Sequence, residues 1–299
     1  MFKKILVCSD GSEDALYATR AGAVLAKRFG SRVVLLDAFN AAFLEADGMG
    51  VWSVTVPANT IEQIAQIQHE TVTRAALPVF EAAGVTCQAI QERDHPVSAI
   101  IGIARRENAD LIVIGSRGLS GVKSFFIGSV SSGVLQHAPC SVLIMHGDGM
   151  PPGADWFERI LLASDTSSGA DNAVQSAVAL AAQFHSALTV LNVYQAPGLL
   201  GEAADAYADF CPEEYEKRVM QAVENSMKVA SEQSGIPSTL RQEKGHPAET
   251  ILRVAEEIKS DVIVVGSRGL GEFAALLLGS VSHHVATHAH CPVLVVRQP

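Results

Sequence analysis

The chain has 299 residues, 48% apolar and 18% charged, a globular balance long enough for about two domains and incompatible with disorder or a disulfide-stapled miniprotein. Lys and Arg number 22 against 32 Asp and Glu, a net charge of −10, so a polyanion offers little counterion release and neither DNA nor RNA is expected as the main partner. Apolar strand-like runs such as 111–114 and 262–265 fall far short of the roughly 18 residues of a membrane span, and no membrane partner is expected.

In chain order, Lys3 and Lys4 precede only four apolar residues, 5–8, before Ser9 and Asp10. That is too short for a secretory core, so a cytoplasmic location is expected. The same run, 5–8, reads as a strand covered on both faces. Behind it Ala15, Ala18, Gly22, Leu25, Ala26 and Phe29 recur at helical spacing, with Gly30 placed to end the helix. A second strand is predicted at 33–36, a long helix over 60–83, a third strand at 86–91, a helix over 96–106 and a fourth strand at 111–114. A helix over 129–137 and a strand at 142–145 close the half. Alternating β and α segments imply a parallel sheet wrapped by helices with right-handed crossovers. Ligands on such sheets sit at the carboxyl ends of the strands.

The order then repeats. Lys4-Ile-Leu-Val-Cys-Ser-Asp10 returns as Arg159-Ile-Leu-Leu-Ala-Ser-Asp165, an offset of 155, and Gly115-Ser-Arg-Gly118 returns as Gly266-Ser-Arg-Gly269, an offset of 151. A period of a whole domain indicates tandem duplication, with domains at 1–146 and 157–299 and a Gly- and Pro-rich linker at 147–156. The five Cys are odd in number and lack a Cys-x-x-Cys pair, which fits reduced thiols serving as small core hydrophobes.

Strand four runs through Gly115, Gly118 and Gly128-Ser129 into a helix, and its counterpart through Gly266, Gly269 and Gly279-Ser280, so both halves fit G-x2-G-x9-G-S. Glycines let backbone N–H groups approach an anion, and Gly-Ser at a helix start adds unpaired amides and a hydroxyl. The alternative is a plain turn with Ser129 and Ser280 as N-caps. Two copies at one spacing, each after a βα pattern, favour nucleotide binding in at least one half. Asp10 and Asp165 follow strand one in sequences that also suit a helix start.

With Asp10 or Asp165 after strand one and the glycine loop after strand four, in order and twice, the chain resembles the ATP-binding class of the universal stress protein family in tandem form. The resemblance implies an α/β fold of two Rossmann-like domains, related to the adenine nucleotide alpha hydrolases. Each would be a five-stranded parallel sheet of order 3-2-1-4-5 with helices on both faces. It places Asp10 and Asp165 near ribose and adenine, the backbone at Ala38-Phe39 and Val193-Tyr194 against adenine, and the glycine loops on the phosphates. It further implies Mg²⁺ with the ATP, a nucleotide-dependent regulator of stress response with ATP or ADP as small-molecule partner and an unknown regulatory protein partner, and an internal pseudo-dimer that leaves a homodimer open.

The two sites are expected to differ. Lys123 aligns with Ala274 and Gly121 with Glu272, and a unit charge about 4 Å away contributes on the order of 4 kcal/mol at an effective dielectric of about 20, before desolvation and screening. The first site is therefore expected to bind ATP more tightly, with Arg117 and Arg268 as further candidate contacts. His283, His284, His288, His290 and Cys291 form the one dense His cluster, read as solvated or capping imidazoles rather than a metal site. His95 and His246 each precede Pro and shape a helix start. No Walker lysine, nucleophile elbow or His-x-x-x-His around a Glu occurs, so no catalytic residue is assigned and slow ATP hydrolysis stands as a secondary activity. An ATP-free scaffold is the other alternative. Segments 41–59 and 196–214 differ between halves and are candidates for a lid or partner surface.

Overall fold

The computed structural model describes residues 1–41, 57–118, 127–146, 156–165, 168–194, 217, 221, 236–267 and 278–297, with the side chains of 168–170 and 194 outside that description. The chain divides into two units, Met1–Gly147 and Asp148–Pro299. The linker residues 147–155, and residues 42–56 and 196–214, lie outside the described residues.

The first unit runs β1 (Lys4–Cys8), α1 (Glu13–Phe29), β2 (Arg32–Phe39), α2 (Ala58–Ala83), β3 (Cys87–Arg93), α3 (Pro96–Arg106), β4 (Leu111–Gly115), α4 (Ser129–His137) and β5 (Ser141–Met145). All its strand pairings are parallel, in the order β3-β2-β1-β4-β5. The second unit repeats this with β6 (Arg159–Ala163), α5 (Ser168–Phe184), β7 (Ala187–Tyr194), β8 (Ser238–Lys244), α6 (Pro247–Glu257), β9 (Val262–Gly266), α7 (Ser280–His288) and β10 (Val293–Val296). Its order is β8-β7-β6-β9-β10, again parallel throughout. The α/β class and the 3-2-1-4-5 order expected from the resemblance are those observed. The second strand is longer than predicted, because the polar Asp37 that ended the apolar run is itself buried within β2.

Local chemistry explains the elements. Ser12 caps α1 by accepting from the Ala15 N–H, Glu13 and Asp14 stand in its first turn and Lys27 and Arg28 in its last, and Gly30 ends it at φ 65°. The two Pro residues after His95 and His246 occupy the first turns of α3 and α6, where a missing N–H costs nothing, and neither His makes a side-chain cap bond. The central strands β1 and β4 are buried from end to end, apart from a half-buried Lys4 at the start of β1. Duplication extends to side-chain detail: Ser31 Oγ donates to the Phe2 carbonyl as Ser186 Oγ does to that of Phe157. The rings Phe2–Phe29 and Phe157–Phe184 pack edge to face at 5.5 and 5.0 Å.

In this strand order the chain leaves β1 towards β2 on one side and returns to β4 on the other, so the carboxyl ends of β1 and β4 border the crevice where such folds bind ligands. Helix α1 lies tight against both strands. A Cβ at Gly22 would meet Val7 Cγ2 at 2.5 Å, and one at Gly115 would lie 2.8 Å from the backbone carbon of Asp14.

Gly22→Ala is therefore expected to cost about 1–3 kcal/mol of stability through overpacking. Urea denaturation of Gly22→Ala, Val7→Ala and the double variant checks this, with a coupling that makes the double less destabilised than the sum of the singles.

Candidate functional site

The turn after β1 is built by its own side chains. The Ser9 N–H continues the ladder to the Leu36 carbonyl at 2.9 Å, Gly11 sits at φ 83° with its N–H 3.4 Å from Ser9 Oγ, and Asp10 Oδ1 accepts from the Ser12 N–H at 2.9 Å. Asp10 thus serves the helix start, and its second oxygen faces the glycine loop: a Cβ at Gly118 would stand 2.6 Å from Asp10 Oδ2. A side chain at 118 would displace that carboxylate from the place it now holds.

The loop closes on itself. The Gly128 N–H donates to the Ser116 carbonyl at 2.7 Å, the Ser116 N–H to the Met145 carbonyl at 2.8 Å, and Ser131 Oγ to the Gly115 carbonyl at 2.7 Å. A Cβ at Gly128 would lie 3.2 Å from the Ser116 oxygen. Gly128 is the N-cap of α4, so Ser129 is the first helical residue, exposed at the helix N-terminus. The second unit matches: Gly279 N–H to the Ser267 carbonyl at 2.8 Å, Ser282 Oγ to the Gly266 carbonyl at 2.5 Å, and Gly279 as N-cap before an exposed Ser280. The alternative of serine N-caps is corrected by this geometry, because the glycine takes the extended cap position and the serines fall one residue inside.

Of the remaining candidates, Ala38 and Phe39 end β2, one strand over from Asp10, and Val193 and Tyr194 end β7 beside the half-buried Asp165 that follows β6. Lys123, Arg268 and Gly269, with Gly121, Glu272 and Ala274, lie outside the described residues. Arg117 is not turned to solvent. Its Nε and its backbone N–H both lie 3.1 Å from Asp14 Oδ2, which also accepts from Ser116 Oγ at 2.9 Å.

Asp14 is a residue that sequence reasoning missed. It stands next to Ala15 on the buried side of α1 and looked like an ordinary first-turn acid. The signal was its place one residue before the apolar stripe, on the face that meets β4. Asp37 was missed as well: buried within β2, it accepts from Gln68 Nε2 at 2.5 Å and Gln91 Nε2 at 2.8 Å, and His69 Nδ1 lies 3.5 Å away. Its counterpart Asn192 donates to the Ser164 carbonyl at 3.1 Å, binding the turn after β6 to β7.

Among the described residues the other reactive groups do not gather. Burial holds the Cys8 thiol far above its ordinary range, and pushes Cys291 up to about 12 and Cys87 to about 11, so these thiols stay protonated and unreactive at neutral pH. His284 and His288 stack at 4.1 Å, with His288 Nδ1 on the His284 carbonyl at 2.9 Å, and His290 pairs with Glu256 at 3.1 Å. Among the described residues no group of three His, Cys, Asp or Glu side chains could hold a metal ion. Nor, among them, is any helix long and apolar enough to cross a membrane.

The universal stress protein family model matches residues 1–146 and again 157–297. A universal stress protein of Thermus aquaticus is 37% identical over 146 residues, 47% of this chain and 99% of its own. One from Mycobacterium tuberculosis strain H37Rv is 26% identical over 253 residues, 83% of this chain and 78% of its own. Among solved structures, a universal stress protein from Archaeoglobus fulgidus superposes with a TM-score of 0.71 at 26% identity, covering 99% of this chain and 98% of that one.

The His cluster carries a pH dependence. Burial, then His288, His246 and His283, lower the His284 pKa, with Glu249 opposing. The unfolded chain, whose imidazole titrates at about 6.5, therefore takes up more protons, and stability falls as pH drops below that value. Urea midpoints at pH 7.5 and pH 5.5 are expected to differ less in His284→Gln than in the unsubstituted chain.

Proposed function

This chain belongs to the universal stress protein family, and on that premise we propose that it binds ATP with Mg²⁺ in both units and acts as a nucleotide-dependent regulator of stress response. The observation that carries the reading is the closure of the glycine loop against the turn after β1. Gly128 bonds back to Ser116, Asp10 faces Gly118, and an exposed Ser129 stands at the N-terminus of α4.

Each part has a task in holding a nucleotide. The free N–H groups of the first turn of α4, with the Ser129 hydroxyl, suit phosphate oxygens, and the helix dipole adds to the attraction. Asp10, its carboxylate turned into the same crevice, suits a ribose hydroxyl. As a hard oxygen donor it also fits Mg²⁺, which would neutralise phosphate charge. Gly115, Gly118 and Gly128 let the loop approach α1, Asp10 and Ser116 closely. The backbone at Ala38-Phe39 would meet the adenine edge.

In the second unit Asp165, Val193-Tyr194, Gly266, Gly279 and Ser280 take the same parts, with Arg268 and Gly269 completing the loop. Lys123, replaced by Ala274, makes the first site the tighter one. Regulation requires that ATP and ADP favour different conformations towards a protein partner, since a ligand shifts an equilibrium only by its differential affinity. The chemistry asked of the chain is retention, with hydrolysis at most slow.

The test is to denature freshly purified protein and identify released nucleotide, then titrate MgATP into the unsubstituted chain, Asp10→Ala, Gly128→Ala and Gly279→Ala. Near-stoichiometric ATP is expected, with Asp10→Ala weakening the first site about tenfold. Gly128→Ala should remove more total affinity than Gly279→Ala. Predominant ADP with sustained turnover would make the chain an ATPase, and no nucleotide released or bound would make it a scaffold; either overturns the reading.

A further inference from the structure

One carboxylate oxygen of Asp14 carries three donors: Ser116 Oγ at 2.9 Å, the Arg117 N–H at 3.1 Å and Arg117 Nε at 3.1 Å. Asp14 is 8% exposed and Ser116 2%, so the cluster is buried where the end of β4 meets the first turn of α1. Arg117 is the cation among the described residues of that loop, and its charge is already spent on an acid from α1.

The geometry points to Asp14 as the residue that sets how strongly the first unit distinguishes nucleoside triphosphates from monophosphates, an inference that rests on the nucleotide-binding reading above. A triphosphate gains from every nearby cation, whereas a monophosphate presents less charge and gains less. With Arg117 on Asp14, two courses are open. If the guanidinium stays, the phosphates lose a cation and a backbone donor. If it leaves, a buried carboxylate loses its counter-charge, which is costly. Either course weakens the triphosphate more than the monophosphate. Asp14 is thus a positioning residue that acts through Arg117.

The second unit lacks the acid. At the offset of 155 that aligns the turns after β1 and β6, Asp14 corresponds to Gly169. Gly169 has no side-chain carboxylate, so the restraint by this acid is assigned to the first unit. The duplicated loops then differ in phosphate preference although their glycines coincide.

The experiment compares MgATP and AMP by isothermal titration of the full chain, in a Gly279→Glu background that sets a carboxylate against phosphate in the second loop. Asp14→Asn keeps an oxygen for Ser116 and the Arg117 N–H while dropping the charge. It is expected to raise the ratio of ATP to AMP affinity about threefold to tenfold, and the gain should vanish in Asp14→Asn with Arg117→Gln. An unchanged ratio, a gain that survives loss of Arg117, or equal weakening of both nucleotides with a lower urea midpoint would overturn the assignment. The reverse graft does not depend on Asp14→Asn folding: Gly169→Asp, in a Gly128→Glu background, should lower the ratio at the second site, and no change there overturns the inference equally. If the unsubstituted chain binds neither nucleotide, the nucleotide-binding reading itself falls. If it binds ATP and the ratio does not respond, only the role of Asp14 does.

Discussion

The first turn of α1 occupies the space that a side chain on Gly115 would need. A Cβ there would fall 2.8 Å from the Asp14 backbone carbon and 2.9 Å from its Cβ, well inside contact distance, so the end of β4 and the start of α1 can meet only through a glycine. That approach brings Asp14 onto Ser116 and Arg117, sets Asp10 against Gly118 and aims the loop after β4 at the turn after β1. Half a helix away, the contact of Gly22 with Val7 holds the rest of α1 down on β1. A looser α1 would separate every group that faces the crevice.

The second unit keeps the backbone part of this arrangement. Ser282 reaches Gly266 as Ser131 reaches Gly115, and Gly279 closes on Ser267 as Gly128 closes on Ser116. Backbone geometry survives because it depends on glycines and on hydroxyls donating to carbonyls, and both kinds of residue recur. Two buried carboxylates of the first unit do not recur. Asp14 becomes Gly169 and Asp37 becomes Asn192, replacing carboxylates by groups that carry no charge. Steric pairs drift together too: a Cβ at Gly133 would strike Val97 at 2.8 Å, and the aligned residues are His284 and Ala248, a larger side chain traded against a smaller.

A chain of net charge −10 is an unpromising host for a polyanion, yet small anions answer to local fields. Backbone N–H groups at a helix start do not titrate and persist whatever the total charge. The same distinction separates overall composition, which argues against nucleic acid, from the loop geometry, which supports a compact phosphate group.

The fold was legible in the sequence because it is written in periodicity. Helices 96–106 and 129–137 coincide with the observed elements, since helical spacing of apolar residues reports burial directly. The duplicated glycine loop was legible for a related reason: glycine spacing reflects backbone geometry, and two copies at one spacing expose it. What could not be read was which side chains the fold brings together across 102 or 103 residues, as with Asp14, Ser116 and Arg117. Arg117 read as a candidate phosphate contact because its partner Asp14 lies on another element, and whether Gly128 or Ser129 caps α4 was open because a one-residue shift in a helix start leaves the same letters. Asp37 ended a predicted strand because a polar residue looks like a boundary until Gln68 and Gln91 are seen to satisfy it. Sequence alone determined the elements, their order and the duplication, because apolar patterning acts locally. Only the tertiary structure decided the charge pairing within the site, because a carboxylate's partner is set by where the chain returns.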